Sequence, residues 1–182
     1  MNENGNGPSL PAVVVLKTNR LIIRHMSVAD SAFMLELLND QSWLRFIGDR
    51  GVKTIEDAQN YILNGPVEMY ARLGFGFYIL EMKESGCLIG ICGLAKREYL
   101  DEVDIGFALL PQYLGKNYAF EAANAVLDYA KNGLHLKRIL ATTRLDNDSS
   151  VKLLEKLGLR FEHMIMHPDG DRDLKLYAID LG

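Results

Sequence analysis

The sequence has little cysteine, no long apolar run and no excess of positive charge. Its two cysteines, Cys87 and Cys92, are too few for a disulfide framework, and we expect them to be reduced, buried thiols. No apolar run approaches the roughly 18 residues of a membrane span, so no membrane partner is expected. A net charge of −4 leaves no basic footprint for general nucleic-acid binding, so no nucleic-acid partner is expected either.

The remaining composition indicates one domain of a cytoplasmic protein. A hydrophobic fraction of 48% over 182 residues can build one sizeable core. The first residues are polar and lack the basic region and apolar core of a signal peptide. We therefore expect a mobile arm over residues 1–15 and a single domain over residues 16–182. The four histidines are scattered without metal-ligand spacing, so no metal site is expected.

The spacing of apolar residues predicts the element order β-α-α-β-β-β-α-β-α-β-β. Capping boxes at residues 27–30 and 54–57 predict the starts of the first two helices, and Gly65-Pro66 should break or kink the second. Segment 43–48 fits either a short helical turn or a loop. Strand-like runs occupy residues 16–25, 75–82, 87–95, 103–110, 137–144, 161–166 and 174–180. This order predicts an α/β (α+β) fold with a mixed, mainly antiparallel sheet of about six or seven strands, flanked by about four helices.

Residues 104–130 form the stretch around which the chain is organised, with the pattern of strand, tight turn and helix. Pro111 ends the strand, and a turn containing Gly115 and Asn117 leads into an apolar helical stripe. Gly133 is expected to end that helix in a left-handed cap. The first N–H groups of a helix have no intrahelical partner, so the turn is a candidate anion site. By itself the motif fits equally well an ordinary unit without a ligand, and neither a P-loop nor a dinucleotide fingerprint is present.

Three motifs together resemble the GNAT-type acetyl-CoA-dependent N-acyltransferases, and most closely the RimJ/RimL-like branch of ribosomal-protein N-terminal acetyltransferases. They are the opening strand at residues 20–24, the turn Gln112-x-x-Gly115-x-Asn117-Tyr118-Ala119, and the segment from Asn147 to Gly158. The resemblance covers residues 16–181 and implies two central strands that splay around acetyl-CoA. The family usually has Gly or Ala at the position of Asn117, and asparagine tolerates the left-handed region better than most residues.

The resemblance implies acetyl-CoA as the cosubstrate, and its pyrophosphate suits the free N–H groups and dipole of a helix start. A backbone N–H among residues 107–110 would polarise the thioester carbonyl, and Leu109 is the favoured donor. The predicted cofactor-binding residues are Phe107, Ala108, Leu109, Leu110, Gln112, Leu114, Gly115, Lys116, Asn117, Tyr118, Asn147 and Ser150.

The predicted catalytic residues are Asp104, Ser150 and Leu109. Asp104 could take the amine proton directly or through water; the alternative is a solvated carboxylate at a strand start. Glu81 is a weaker candidate for the base. Many relatives carry a thiolate-protonating tyrosine where this chain has Leu154, and Ser150 matches a serine that substitutes for it in the RimJ/RimL-like branch. Alternatively, Ser150 only helps to cap a helix, as does Asn147.

The expected reaction is direct acetyl transfer to a primary amine, on either a protein N-terminus or a small molecule. Candidates for the acceptor side are Trp43, Arg45, Phe46, Tyr70, Phe75 and the hairpin at residues 164–172. The aspartates of this region, Asp169, Asp171 and Asp173, could attract a cationic amine, but such a cluster is more often a polar, solvated turn. The four histidines are expected at the surface or in packing, and His167, near the hairpin, is the one to test. The alternatives are a non-catalytic acyl-CoA-binding module and an interaction protein of the same fold. The resemblance also admits a homodimer through exposed strands or the last hairpin.

Overall fold

The computed structural model describes residues 12–182 as an eight-stranded sheet with helices on both faces. The strands are β1 Val14–Lys17, β2 Leu21–His25, β3 Phe77–Met82, β4 Leu88–Ala95, β5 Asp104–Leu109, β6 Arg138–Arg144, β7 Arg160–Met166 and β8 Asp173–Asp180. The helices are α1 Ser31–Leu38, α2 Gln41–Phe46, α3 Ile55–Ile62, α4 Glu68–Leu73, α5 Tyr118–Asn132 and α6 Asp148–Lys156. The strand order is β1-β2-β3-β4-β5-β6-β8-β7, and all neighbours are antiparallel except the parallel pair β5 and β6. The predicted fold class is confirmed.

The single strand predicted over residues 16–25 is in fact the hairpin of β1 and β2. Thr18 turns the chain, because its N–H donates to the carbonyl of Leu21 at 2.9 Å. Glu121 at the start of α5 fixes this turn by accepting from the Thr18 hydroxyl at 2.6 Å and from the N–H and Nε of Arg20, each at 2.7 Å. Strand β1 begins at Val14, and residues 1–11 of the predicted arm lie outside the described residues.

Local signals placed most helix ends correctly. Both capping boxes are formed, and the ambiguous segment 43–48 lies largely within α2, whose cap is Asp40. Gly65-Pro66 does not end the helical path but lies in a π-helical turn, Leu63–Val67, between α3 and α4. The left-handed cap predicted at Gly133 is wrong, because Gly133 stays right-handed and His135 takes the positive φ of 56°.

The two faces of the sheet carry separate apolar clusters. On one face, Ala122, Ala123 and Val126 of α5 are fully buried in a cluster with residues of β4, β5 and α6. On the other face, residues of α1 and α3 pack against Ile79 and Ile91. One cysteine departs from the prediction: Cys92 is buried, whereas Cys87 is exposed just before β4. Among the described residues, no helix is both long and apolar enough to cross a bilayer.

The parallel strands β5 and β6 separate almost at once. They share the single residue pair Asp104 and Leu140, beside a bond of 2.9 Å from the Leu140 N–H to the Val103 carbonyl. Beyond that pair, the rest of β5 and the end of β6 line opposite walls of a cavity. The central strands therefore splay as the resemblance implied.

Candidate active site

A cavity of about 1380 Å³ crosses the sheet at the splay. The turn before α5 and the start of α6 line it on one face, and residues of α2, α3 and the loop between them line it on the other. The β7–β8 hairpin also contributes His167 and Arg172. Typical small-molecule sites enclose about 300–1,000 Å³. The cavity is therefore large enough for two ligands that meet between the strands.

The turn before α5 has the backbone geometry of an anion site. Gly115 has a φ of 73°, a conformation that glycine adopts without strain. Asn117 is the N-cap of α5 and lies in the left-handed region at φ 64°, ψ 12°, as its residue type permits. Its side chain does not cap the helix, because Oδ1 accepts from Nζ of Lys156 at 3.2 Å. The amide is thus held toward α6.

The cavity lining includes most of the predicted cofactor-binding residues. Phe107, Ala108, Leu109, Leu114, Gly115, Asn117, Tyr118, Asn147 and Ser150 line it. Three others lie outside the lining. Leu110 is buried in the core, Gln112 is exposed, and the Lys116 carbonyl accepts from Arg20 at 3.0 Å.

The hydrogen-bond pattern of β5 shows which of its N–H groups face the splay. The Leu110 N–H donates to the Ile89 carbonyl at 2.9 Å, whereas the Val103 carbonyl accepts from β6. Neighbouring residues of a strand direct their backbone groups to opposite edges. The N–H groups of Phe107 and Leu109 therefore point toward β6, in the region where β6 has already diverged.

Asp104 is buried, with 2% of its surface exposed, and is not the solvated carboxylate considered as an alternative. Nε of Arg97 lies 2.9 Å and 3.1 Å from its two oxygens. Burial raises the pKa of Asp104, and the positive charge of Arg97 opposes that rise. Both residues line the cavity. Arg97 lies in what the sequence indicated only as a polar link between strands, and no local pattern identifies its ion pair.

Glu81 lies outside the lining and pairs with Arg24 at 2.9 Å, so it does not face the splay.

The start of α6 combines a structural cap with a cavity wall. Oδ1 of Asn147 accepts from the Ser150 N–H at 3.2 Å, which is the capping interpretation. Both side chains also line the cavity, so capping and ligand contact are compatible. Leu154 is buried in the core. Thr143 of β6 also lines the cavity, and its Oγ1 is buried without a hydrogen-bond partner among residues 12–182. The sequence does not reveal this feature.

The acceptor-side predictions divide into two groups. Trp43, Phe46 and His167 line the cavity. Three others do not: Arg45 pairs with Asp146 at 3.3 Å, Phe75 is in the core, and the Tyr70 hydroxyl bonds the backbone of Met26 and Phe77. The structure adds the side chains of Arg50, Tyr61, Arg97 and Tyr99, which sequence reasoning missed because helix α3 and two loops bring them together.

The hairpin aspartates are turned away from the cavity. Asp169, Asp171 and Asp173 are absent from its lining. Instead, Asp169 and Asp171 lie 3.2 Å and 3.7 Å from Nδ1 of His167. Although the sequence shows no metal-ligand spacing, the side chains of His167, Asp169 and Asp171 have possible ligand atoms within 4.8 Å of one another. The aspartates are exposed, and Nδ1 already accepts from the Asp169 N–H at 3.2 Å.

Splayed parallel strands, a left-handed turn at a helix start and a cavity lined from both faces of the sheet fit an enzyme that transfers a group between two substrates. The model of the acetyltransferase (GNAT) domain matches residues 20–160. The chain therefore belongs to the GNAT acetyltransferase family and is an acetyltransferase.

Relatives and solved structures agree with this family. The chain is 30% identical over 147 residues to the uncharacterized N-acetyltransferase YnaD of Bacillus subtilis (strain 168), covering 81% of this chain and 83% of that protein. The acetyltransferase (GNAT family) from Bacillus anthracis superposes with a TM-score of 0.76 at 29% identity, covering 91% of this chain and 98% of that one. RimL, the ribosomal L7/L12 alpha-N-protein acetyltransferase solved with coenzyme A, shares the fold with a TM-score of 0.75 at 16% identity, covering 93% and 98%.

Proposed function

We propose that the protein transfers the acetyl group of acetyl-CoA directly to a primary amine, on a protein N-terminus or a small molecule. The observation that carries the proposal is the continuity of one cavity from the turn before α5, past the Leu109 N–H, to Asp104 on the other side of the splay. The three sequence motifs favour the RimJ/RimL-like branch within the family. The free thiols Cys87 and Cys92 fit a reducing compartment such as the cytoplasm.

Each residue has a separate task in this proposal. N–H groups at the start of α5 hold the pyrophosphate of acetyl-CoA, and the left-handed Gly115 and Asn117 keep the turn open. The Leu109 N–H donates to the thioester oxygen as negative charge develops there. The amine nitrogen forms the new bond to the acetyl carbon while the carbon–sulfur bond breaks. Asp104 accepts the amine proton directly or through water, and Ser150 donates a proton to the departing thiolate while water returns one to its hydroxyl.

Direct transfer is favoured because neither cysteine is placed to form an acyl-enzyme. Neither Cys87 nor Cys92 lines the cavity, and burial raises the pKa of the Cys92 thiol.

The cosubstrate is tested by thermal unfolding with acetyl-CoA, coenzyme A, ATP and NAD. A ligand at a hundred times its dissociation constant stabilises by about 2.7 kcal/mol. For a domain of this size, that amounts to roughly 5–11 °C in Tm. We expect saturable stabilisation by acetyl-CoA and coenzyme A alone. No stabilisation at millimolar acetyl-CoA would contradict the cosubstrate.

The reaction is tested by following thiol release from acetyl-CoA with a panel of N-terminal peptides and small amines. Asp104→Asn and Ser150→Ala should each lower kcat by about 10²–10⁴-fold. Asp101→Asn and Ser85→Ala are the controls, because both residues are exposed and lie outside the cavity lining. Unchanged kcat in Asp104→Asn and Ser150→Ala would refute the roles assigned to both residues. Acetyl-CoA binding without turnover of any amine would leave only an acyl-CoA-binding module.

A further inference from the structure

The half of the cavity formed by α2, α3 and the loop between them, here called the acceptor half, contains a buried donor without an acceptor. Trp43 is 6% exposed and lines the cavity. Its Nε1 has no hydrogen-bond partner within the described part of the chain. The indole N–H only donates, and leaving it unpaired in a buried position is unfavourable. An acceptor-rich group in the cavity would satisfy it.

A cation without an ion-pair partner lines the same half. Arg50 contributes to the lining and forms no ion pair with any residue in the range 12–182. Arg97 lines the cavity too. Burial raises the pKa of Tyr61, and the positive charges of Arg50 and Arg97 oppose that rise. Tyr61 also lines the cavity. Donors and positive charge thus converge on one wall.

The carboxylates of the acceptor half are already engaged. Asp104 is paired with Arg97. Asp57 accepts from the N–H groups of Lys53 and Thr54, each at 2.9 Å, within a capping box. Asp40 caps α2. These carboxylates keep their negative charge, but each already has a hydrogen-bonded partner in the protein, whereas the guanidinium of Arg50 has no ion-pair partner among residues 12–182.

We propose that the acceptor amine belongs to a molecule that also carries an anionic group, bound by Arg50, Tyr61 and Trp43 while the amine faces Asp104. This inference rests on the proposed acetyl transfer and specifies its substrate class. A carboxylate or a phosphate supplies the required chemistry, since both accept several charge-assisted hydrogen bonds. A polyamine acceptor would place positive charge against Arg50 and is disfavoured.

Trp43 gives a readout that does not depend on turnover, because it is the only tryptophan in the sequence. The experiment follows its fluorescence in the protein saturated with coenzyme A, at constant ionic strength. The probes are matched pairs: L-alanine against L-alaninamide for a carboxylate, O-phosphoethanolamine against ethanolamine for a phosphate, and spermidine for a cation. We expect a saturable change with at least one compound that carries the anionic group and a response at least tenfold weaker with its partner that lacks that group.

The variant Arg50→Gln should weaken binding of the responding anion roughly 10-fold to 100-fold, the effect of losing one hydrogen bond to a charged group. Lys53→Gln is the matched control, because Lys53 is an exposed cation of the same loop that pairs with Asp49 outside the cavity lining. Trp43→Phe keeps an aromatic ring but removes the N–H donor together with the pyrrole part of the indole; isothermal titration should show weaker anion binding in this variant.

The outcomes separate this inference from the function on which it rests. Equal responses to the two members of each pair, a stronger response to spermidine, or an unchanged affinity in Arg50→Gln would each overturn the anionic acceptor. Anion binding with no acetylation of any bound amine would instead overturn the proposed reaction. Two results together would support both the anionic acceptor and the acetyl transfer. The compounds that bind through their anionic group should also be the ones that are acetylated, and Arg50→Gln should lower kcat/KM mainly by raising KM.

Discussion

Asn117 provides a sharp test of the backbone argument for the turn, because two substitutions remove the same side chain and differ only in backbone preference. Both Asn117→Ala and Asn117→Gly delete the amide that accepts from Lys156 at 3.2 Å. At φ 64°, alanine incurs about 1–2 kcal/mol of left-handed strain and glycine none. Glycine loses about 0.4–1 kcal/mol through the entropy of the unfolded chain. The net expectation is an alanine variant about 1 kcal/mol less stable than the glycine variant.

Urea unfolding followed by circular dichroism measures this difference, with unchanged m-values as the condition for comparing midpoints. For a domain of this size, about 1 kcal/mol corresponds to roughly 2–4 °C in Tm. Acetyl-CoA affinity should follow the same order, because strain in the turn displaces the N–H groups that would hold the pyrophosphate. An alanine variant as stable as the glycine variant would refute the left-handed assignment of this turn.

Three further changes have definite expected outcomes. Glu121→Gln should lower the free energy of unfolding at pH 7 by about 1.5–3 kcal/mol. Burial opposes ionisation of Glu121, but hydrogen bonds from the β1–β2 turn outweigh it and lower the pKa. The contribution is therefore complete above the ordinary glutamate pKa and lost as the pH falls through the lowered value, so urea midpoints of variant and parent should converge in acid. Gly90→Ala would place a Cβ 2.2 Å from the Ala108 carbonyl and 2.9 Å from Cα of Leu109, so we expect a loss of about 1–3 kcal/mol in urea unfolding and a lower kcat. Gly65 precedes Pro66 inside a helical turn, where a Cβ would clash with the proline ring, so Gly65→Ala should lower stability in the same assay although its other surroundings are open.

Features fixed by neighbours in sequence were predictable. The capping boxes, the stop at Pro111 and the left-handed tolerance of Asn117 depend on a few adjacent residues, and the structure contains all three. The first strand was missed as a hairpin because Thr18 forms the turn without a glycine, and Glu121, about a hundred residues away, holds it. Locally, the turn is marked only by Asn19 and by the Thr18 hydroxyl, which accepts from the Leu21 N–H at 3.0 Å, a weaker signal than a glycine.

The composition of the acceptor half could not be read from the chain in the same way. Asp104 was predicted as a site residue, but its partner Arg97 lies at the far end of a link whose path depends on the packing of β4 against β5. Arg50 lies in the loop between α2 and α3, and Tyr61 lies on α3; neither residue belongs to a ligand-binding motif. The hairpin aspartates were predicted for the acceptor side, yet Asp169 and Asp171 lie beside His167 and outside the cavity lining.

The single residue pair between β5 and β6 also affects how rigidly the two parts of the sheet are joined. Strands β1 to β5 form one panel and β6 to β8 another, and at the splay only one pair of residues joins them as a hinge. A molecule bound in the splay would connect the two panels, because it would accept hydrogen bonds from the Phe107 and Leu109 N–H groups, which would otherwise pair with a neighbouring strand. Binding of a molecule in the splay would then also make the sheet more rigid, and slower hydrogen exchange at the Phe107 and Leu109 amides would report both effects.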